Sequence, residues 1–399
     1  MLLTSVATLL ATAAVLGLLV WPKLARAELW RATITPLASI IGSGFLVVGP
    51  VLIHAFGGWA PLAMLLLCGV AYLFGVTMRR NITDRHQGNN RHALSLHAEM
   101  ASSWVLALAY VISVTYYLNL FGAFAVRIVA EENQLAGRVI TTLVLLLILV
   151  LGWFKGFSAL EKLEQTSVSL KLAVIAGLLA GLMVFGTDAA FDGALLFNPV
   201  QTGGWEALTL MFGLIVTVQG FETSRYLSDE YGAAVRIRSM KLAQWVSTLI
   251  YLAYVIFLAY LFSPGQTGLS ETAIIDLMGY VAPLLPALLI LAALSAQLSA
   301  AIADTGGCGG LVRELTHHRV SERQTYLLLV VVGLLLTWAA DIFAIISYAS
   351  RAFALYYALQ CAVAALNSVH GDHVLRDRMF FSGMALLGLA MALTGTAVE

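Results

Sequence analysis

Runs of apolar residues alternate with short polar connections along nearly the whole chain, and most runs have the roughly 20 residues that a helix needs to cross a bilayer core. They fall near 2–21, 34–56, 59–78, 101–126, 139–154, 167–186, 205–226, 240–262, 283–303, 325–340, 342–366 and 379–397. The pattern predicts an all-α integral membrane protein of about twelve transmembrane helices. Two runs carry interruptions. In 35–50, TPLASIIGSGFLVVGP, Gly42, Ser43 and Gly44 stand at the centre; in 210–231, LMFGLIVTVQGFETSRYLSDEY, Gly213, Thr217, Gln219 and Gly220 do the same. Glycine costs helix stability and frees backbone groups. Freed backbone inside hydrocarbon is tolerated only where it is buried in protein or lines a cavity. Two readings follow: close packing of a small-residue helix face, or half-helix ends offering amides and carbonyls to a solute.

The placement of the interruptions favours the second. Setting aside the first and last runs leaves ten, in two groups of five over 32–186 and 204–366, joined by an extracytoplasmic loop at 187–203. The flanks are an extra helix and cytoplasmic link at 1–31 and a final helix at 367–399. Each group opens with its interrupted run, and because five is odd the second group starts from the opposite face. Paired discontinuous segments in two inverted halves are the sequence pointer to a transport site. The first run ends in the small residues Leu24-Ala25-Arg26-Ala27, but it lacks a basic leading region and is long for a signal peptide, so it reads as a retained helix.

Composition agrees and excludes much else. Of 399 residues 60% are hydrophobic and 11% charged, with mean hydropathy +0.89, which is too apolar for a water-soluble domain. A formal net charge of +0 offers no basic surface for nucleic acid. Cys68, Cys308 and Cys361 are odd in number and lie in or beside apolar runs, so neither a disulfide framework nor a metal site is indicated. No CxxC, HExxH or GxxxxGK[ST] string occurs, and nothing calls for a cofactor or an enzyme. All Lys and Arg except Arg127, Arg138 and Arg351 fall in or beside alternate connections, beginning with the one after the first run. The positive-inside rule makes that side cytoplasmic, with both termini outside, in the inner membrane of a prokaryote.

The stretch ITPLASIIGSGFLVVGPVLIHAFGGWAPLAMLLLCGVAYLFG resembles the opening helix pair of the amino acid/polyamine/organocation superfamily, whose first core helix carries a G-S-G element. Gly220-Phe221-Glu222 is similar to the G-F-E of its sixth core helix, and SDEY and VRIRSMKLAQ extend the likeness more loosely, with Ala233 and Ala234 where relatives commonly have a proline. The resemblance covers about 32–366. It implies the leucine-transporter fold, a 5+5 inverted repeat with discontinuous first and sixth core helices, and substrate held between core helices one, three, six, eight and ten. It also implies that Lys171, on the fifth core helix, stands where several members use a lysine in place of sodium, its ammonium on carbonyls of the first core helix. A desolvated lysine can load and release a proton. Snorkelling to the surface is the alternative, since Lys171 is only about one turn inside its helix.

Other residues follow from their spacing. Ile41, Gly42, Ser43 and Gly44 are candidates to receive a substrate carboxylate at a helix N-terminus, and Val218, Gln219 and Gly220 its amine. Ser295 and Ser299, at i and i+4, either complete an ion site or pack. Tyr110, Ser113 and Tyr117 share a face as pocket wall or as packing. Glu222 is a proton carrier or a cap on the unwound segment. Arg351 lies too deep for easy snorkelling and is expected to face the interior, paired with Asp304 or Glu222 or binding an anionic substrate; Ser347 shares its face, near the pocket. The glycine-rich run TGGCGG at 305–310 predicts a helix break or a tight contact. The leading function is therefore a secondary carrier of an amino acid or related amine, sodium-independent, coupled to protons or exchanging. The alternatives are an organic-anion carrier using Arg351 and a non-transporting sensor or accessory protein of the same fold. Partners are a small solute, protons and the lipid bilayer; the oligomeric state is not legible.

Overall fold

The structure, a computed structural model, describes residues 1–42, 44–86, 93–129, 133–154, 161–227, 230–266, 270–368 and 374–397; Ser43 and part of the SDEY stretch lie outside these. Helices dominate. In order they are α1 (Leu2–Val20), α2 (Pro22–Ala25), α3 (Glu28–Ile40), α4 (Gly44–Phe56), α5 (Ala60–His86), α6 (Ala93–Val126), α7 (Gln134–Phe154), α8 (Glu161–Phe191), α9 (Gly204–Gly213), α10 (Ala233–Leu261), α11 (Ala273–Val281), α12 (Leu285–Leu315), α13 (Glu322–Ala339), α14 (Ile342–Asn367) and α15 (Val374–Thr394). Among the described residues ten stretches are long and apolar enough to cross a membrane, one of them Gly44–Arg85, which takes in α4 and α5. The interrupted elements are shorter: α3 has 13 residues and α9 has 10.

α6 lies at the centre, with α12 and α14 along its sides and α7 behind it. α10 packs on α3 and α5, and α8 runs beside α12. Small residues bring several of these helices together. α1 lies along α8 because Gly177 and Gly181, four apart, leave room for Thr12 and Thr8: a methyl on Gly177 would stand 2.1 Å from Thr12 Oγ1 and 2.8 Å from the Thr8 carbonyl oxygen. This is the small-xxx-small contact by which helices approach where no hydrophobic force acts between them.

The 305–310 run gives contact and no break. α12 is continuous through it, and Gly309 lies flat against Tyr326 of α13, where a methyl would meet the ring at 2.5 Å. Local helix propensity yields here to packing. Elsewhere termini follow ordinary rules: Ser321 and Gln324 form a capping box at the start of α13, and the Asp341 carboxylate accepts the Ala344 amide at the start of α14. Gly177→Leu, whose side chain would run into the α1 backbone, is expected to lower stability by about 1–3 kcal/mol or more; thermal unfolding of the purified variant measures it, and an unchanged transition would contradict the contact.

Candidate functional site

The two interruptions are real departures from helix. At Ile41 the backbone turns to φ −83°, ψ 58°, and α4 resumes at Gly44. The last carbonyls of any helix lack partners within it, and here side chains from other helices supply them. Ala38 O accepts the Lys171 ammonium at 2.8 Å, and Ile40 O accepts the Tyr251 hydroxyl at 2.9 Å. Past α9 the chain makes one tight 3-10 turn at Ile215–Val218, passes Gln219 in extended form and Gly220 at φ +119°, and enters another at Phe221–Tyr226. Ser350 Oγ donates to Gly213 O at 2.6 Å and accepts the Val216 amide at 3.1 Å. Tyr251 reaches Thr217 O as well, at 2.5 Å, so its one hydroxyl stands between the two breaks. The Glu222 carboxylate accepts the Gly220 amide at 3.0 Å and the Tyr357 hydroxyl at 2.8 Å.

The breaks also touch. A methyl on Gly44 would lie 2.9 Å from Thr217 Cα, and one on Gly220 would lie 2.6 Å from the Ser39 carbonyl carbon. Glycine is required at Gly220 on two counts: no side chain fits, and the positive φ is one that L-residues rarely adopt.

Beside this contact is a cavity of about 40 Å³ lined by Thr35, Ser39, Ser167, Lys171, Ser299 and Asp304, among others. It has room for one or two water-sized guests. Lys171 is only 5% exposed, so its stem does not snorkel. Ser113 Oγ donates to Asp304 Oδ2 at 2.5 Å, and the Ser167 and Ser295 hydroxyls share a 2.8 Å hydrogen bond. Two turns from Asp304 along α12, Gln297 is fully buried with both side-chain amide atoms unpaired. Among the described residues no group of three or more His, Cys, Asp or Glu could hold a metal ion.

A family description, APC superfamily transporter, matches residues 22–395, nearly the whole chain after α1. The chain belongs to the APC superfamily of transporters. An uncharacterized protein of Aquifex aeolicus (strain VF5) is 40% identical over 375 residues, covering 92% of this chain and 90% of that protein. The chain is therefore a transporter and not an enzyme.

Within the transporter, Ile41, Gly42, Gly44, Val218, Gln219, Gly220 and Glu222 meet at the two breaks, while Lys171, Ser299, Asp304 and Ser113 gather next to them. Tyr110 and Tyr117 are buried, Tyr110 edge-on to Phe353 and Tyr117 against Tyr116. Arg351 and Ser347 go elsewhere, which corrects their expected places. Arg351 is exposed and its Nε donates to Ala392 O of α15 at 2.8 Å, away from Asp304 and Glu222; the Ser347 hydroxyl donates to Gly395 O at 3.3 Å. The reason is helical phase. Ser350 faces the α9 terminus, and one residue on, about 100° around α14, Arg351 faces α15.

Sequence reasoning missed Tyr251, Ser350 and Tyr357, the side chains that satisfy the broken backbone, because a lone hydroxyl on an apolar helix carries no spacing signal. It also missed a second, larger cavity. A cavity of about 910 Å³ runs down to Tyr110 between Glu99, Arg225, Tyr226, Arg236 and Glu314. Buried Arg225 pairs with Glu99 at 2.5 Å and hydrogen-bonds Gln360, which also holds Asn81 and Ser102 at 2.8 and 2.7 Å. Tyr226 and Tyr356 close the wall with a 3.1 Å hydroxyl contact.

Two substitutions test this geometry. Gly220→Ala should cost about 1–3 kcal/mol from backbone strain alone, before the clash with Ser39. Tyr251→Phe should cost about 1–3 kcal/mol by leaving a buried carbonyl unpaired. Denaturant or thermal unfolding measures both, and neutral effects would contradict the described breaks.

Proposed function

We propose that this transporter is a secondary active carrier of an amino acid or related amine, working by alternating access, independent of sodium, and either proton-coupled or an exchanger. The observation that carries the reading is the meeting of two backbone breaks beside a small cavity in which the Lys171 ammonium holds Ala38 O. In the proposed scheme the chain crosses the membrane twelve times as two inverted five-helix repeats, over 32–186 and 204–366, with one extra helix at each end. The membrane is a prokaryotic inner membrane and both termini face outward.

The substrate carboxylate is received by amides at Gly42, Ser43 and Gly44, where the N-terminus of α4 carries positive dipole. Its amine is received by carbonyls around Val218, Gln219 and Gly220. Lys171, with Ser299 and Asp304 on the same cavity, loads and releases the coupling proton, while Glu222 serves the break as a cap. The unpaired Gln297 amide supports the scheme, because a polar group left unsatisfied in a dry interior marks a place for water or solute. The organic-anion reading loses its support, since Arg351 is directed to α15.

The test is uptake of labelled amino acids and amines into proteoliposomes under an imposed pH gradient. The wild-type carrier should accumulate at least one of them, or exchange it for the same compound loaded inside. Lys171→Ala should abolish accumulation against the gradient while leaving exchange; full accumulation by that variant would overturn the role given to Lys171.

A further inference from the structure

The large cavity meets α6 between Leu96 and Tyr110; near the other end of that helix, at Asn119 and Ala123, lies a third cavity of about 340 Å³ that the transport scheme does not use. Cavities of roughly 300–1,000 Å³ are the size that holds small molecules. Asn119 is only 5% exposed. Its Nδ2 donates to Thr115 O at 2.8 Å and to Thr337 Oγ1 at 2.9 Å. The Thr337 hydroxyl gives its own proton to Gly333 O at 2.8 Å, so towards Asn119 it can only accept. The side-chain amide is thereby fixed, and Oδ1, which accepts from no described residue, is left to the cavity. Half-buried Arg138 of α7 lines the same space. Its one hydrogen bond among the described residues is from Nη2 to Ala340 O at 3.3 Å, although a guanidinium has five N–H groups to give. Three helices also start here, α7 at Gln134, α11 at Ala273 and α14 at Ile342, each with its positive end at the wall.

We infer that this cavity is a second binding site, separate from the two breaks, for a small zwitterion: an amino acid with an apolar side chain. Charge decides the class. A simple anion would suit Arg138 and the three helix starts but would meet the Glu271 and Asp341 carboxylates on the same wall. A simple amine would suit those carboxylates and Asn119 Oδ1 but would meet the guanidinium. A molecule carrying both charges satisfies both sets: its carboxylate takes the Arg138 N–H groups in a charge-assisted pair, and its ammonium donates to Asn119 Oδ1 and to the acidic side chains. Ala123, Ile342 and Phe343 supply the apolar part of the wall, against which an aliphatic or aromatic side chain is buried. The site shares no residue with the breaks. Asn119 is turned to Thr337 of α13, whereas Tyr116, on the same helix, has its hydroxyl at Gly44. The ligand class agrees with the solute proposed for the carrier but is read from this lining, and it holds whether or not the breaks bind the same molecule.

A fluorine label at the rim tests it. Gln134 is exposed and lines the cavity, and Cys68, Cys308 and Cys361 are all buried, so Gln134→Cys gives one accessible thiol for a trifluoromethyl reagent. The labelled full chain is titrated with L-leucine, L-methionine and L-phenylalanine and followed by fluorine NMR. At least one of them should move the resonance and saturate. The methyl ester of that amino acid, which lacks the carboxylate, and its deaminated acid, which lacks the ammonium, should each need about tenfold more or beyond for the same shift. Arg138→Gln should weaken the response by a similar factor and Arg138→Lys by less; both remove no more than one long hydrogen bond and should still unfold cooperatively. Three results overturn the site: no saturable shift with any of the three amino acids, an equal response to the deaminated acid, or an undiminished response in Arg138→Gln, which would place the binding elsewhere. No flux enters the measurement, so its failure and a failure of the uptake assay are separate outcomes.

Discussion

A polypeptide that leaves the helix inside a bilayer frees amides and carbonyls that neither water nor lipid can satisfy, and much of this structure answers that need. The two breaks are held by partners from three other helices. Lys171 of α8 takes one carbonyl, Tyr251 of α10 takes one from each break, Ser350 of α14 closes the end of α9, and Tyr357 supports the Glu222 carboxylate that receives the Gly220 amide. Each helps to fix where its helix sits against the breaks. The contact of Gly44 with Thr217 and of Gly220 with Ser39 is possible only because no side chain intervenes.

In the proposed scheme function and stability draw on the same atoms. A solute bound between the breaks would compete for, or add to, hydrogen bonds that already hold the bundle together. This gives binding a direct route to conformation, since a ligand shifts an equilibrium only through contacts that differ between its states. Glu99 and Arg225, bonded onward through Gln360 to Asn81 and Ser102, line the large cavity that reaches Tyr110.

Much of the architecture was legible because hydropathy and glycine placement are imposed by the bilayer itself. The apolar runs coincide closely with the helices, and the interruptions fall at Ile41 and at Gln219 with Gly220, where sequence placed them. Lys171 was singled out by resemblance, and the structure places its ammonium on Ala38 O at the end of α3. What sequence did not reveal is helical phase and tertiary pairing. Arg351 looked like an interior charge because depth along a helix can be counted, whereas the direction it faces depends on where α15 and the tail lie. The glycines at 305–310 looked like a possible break because the Tyr326 ring that fills their place is invisible from the local sequence. Single hydroxyls such as Tyr251 and Ser350 acquire meaning only once the broken ends they reach are in view.

The central claim is that the two interruptions form one site. Hydrogen–deuterium exchange of the backbone amides, followed peptide by peptide with and without an amino acid or amine that raises the melting temperature of the purified protein, tests it most directly. The account predicts that peptides spanning residues 41–46 and 218–223 gain protection together and saturate over the same ligand range. Protection confined to one segment, or found only elsewhere in the bundle, would contradict it.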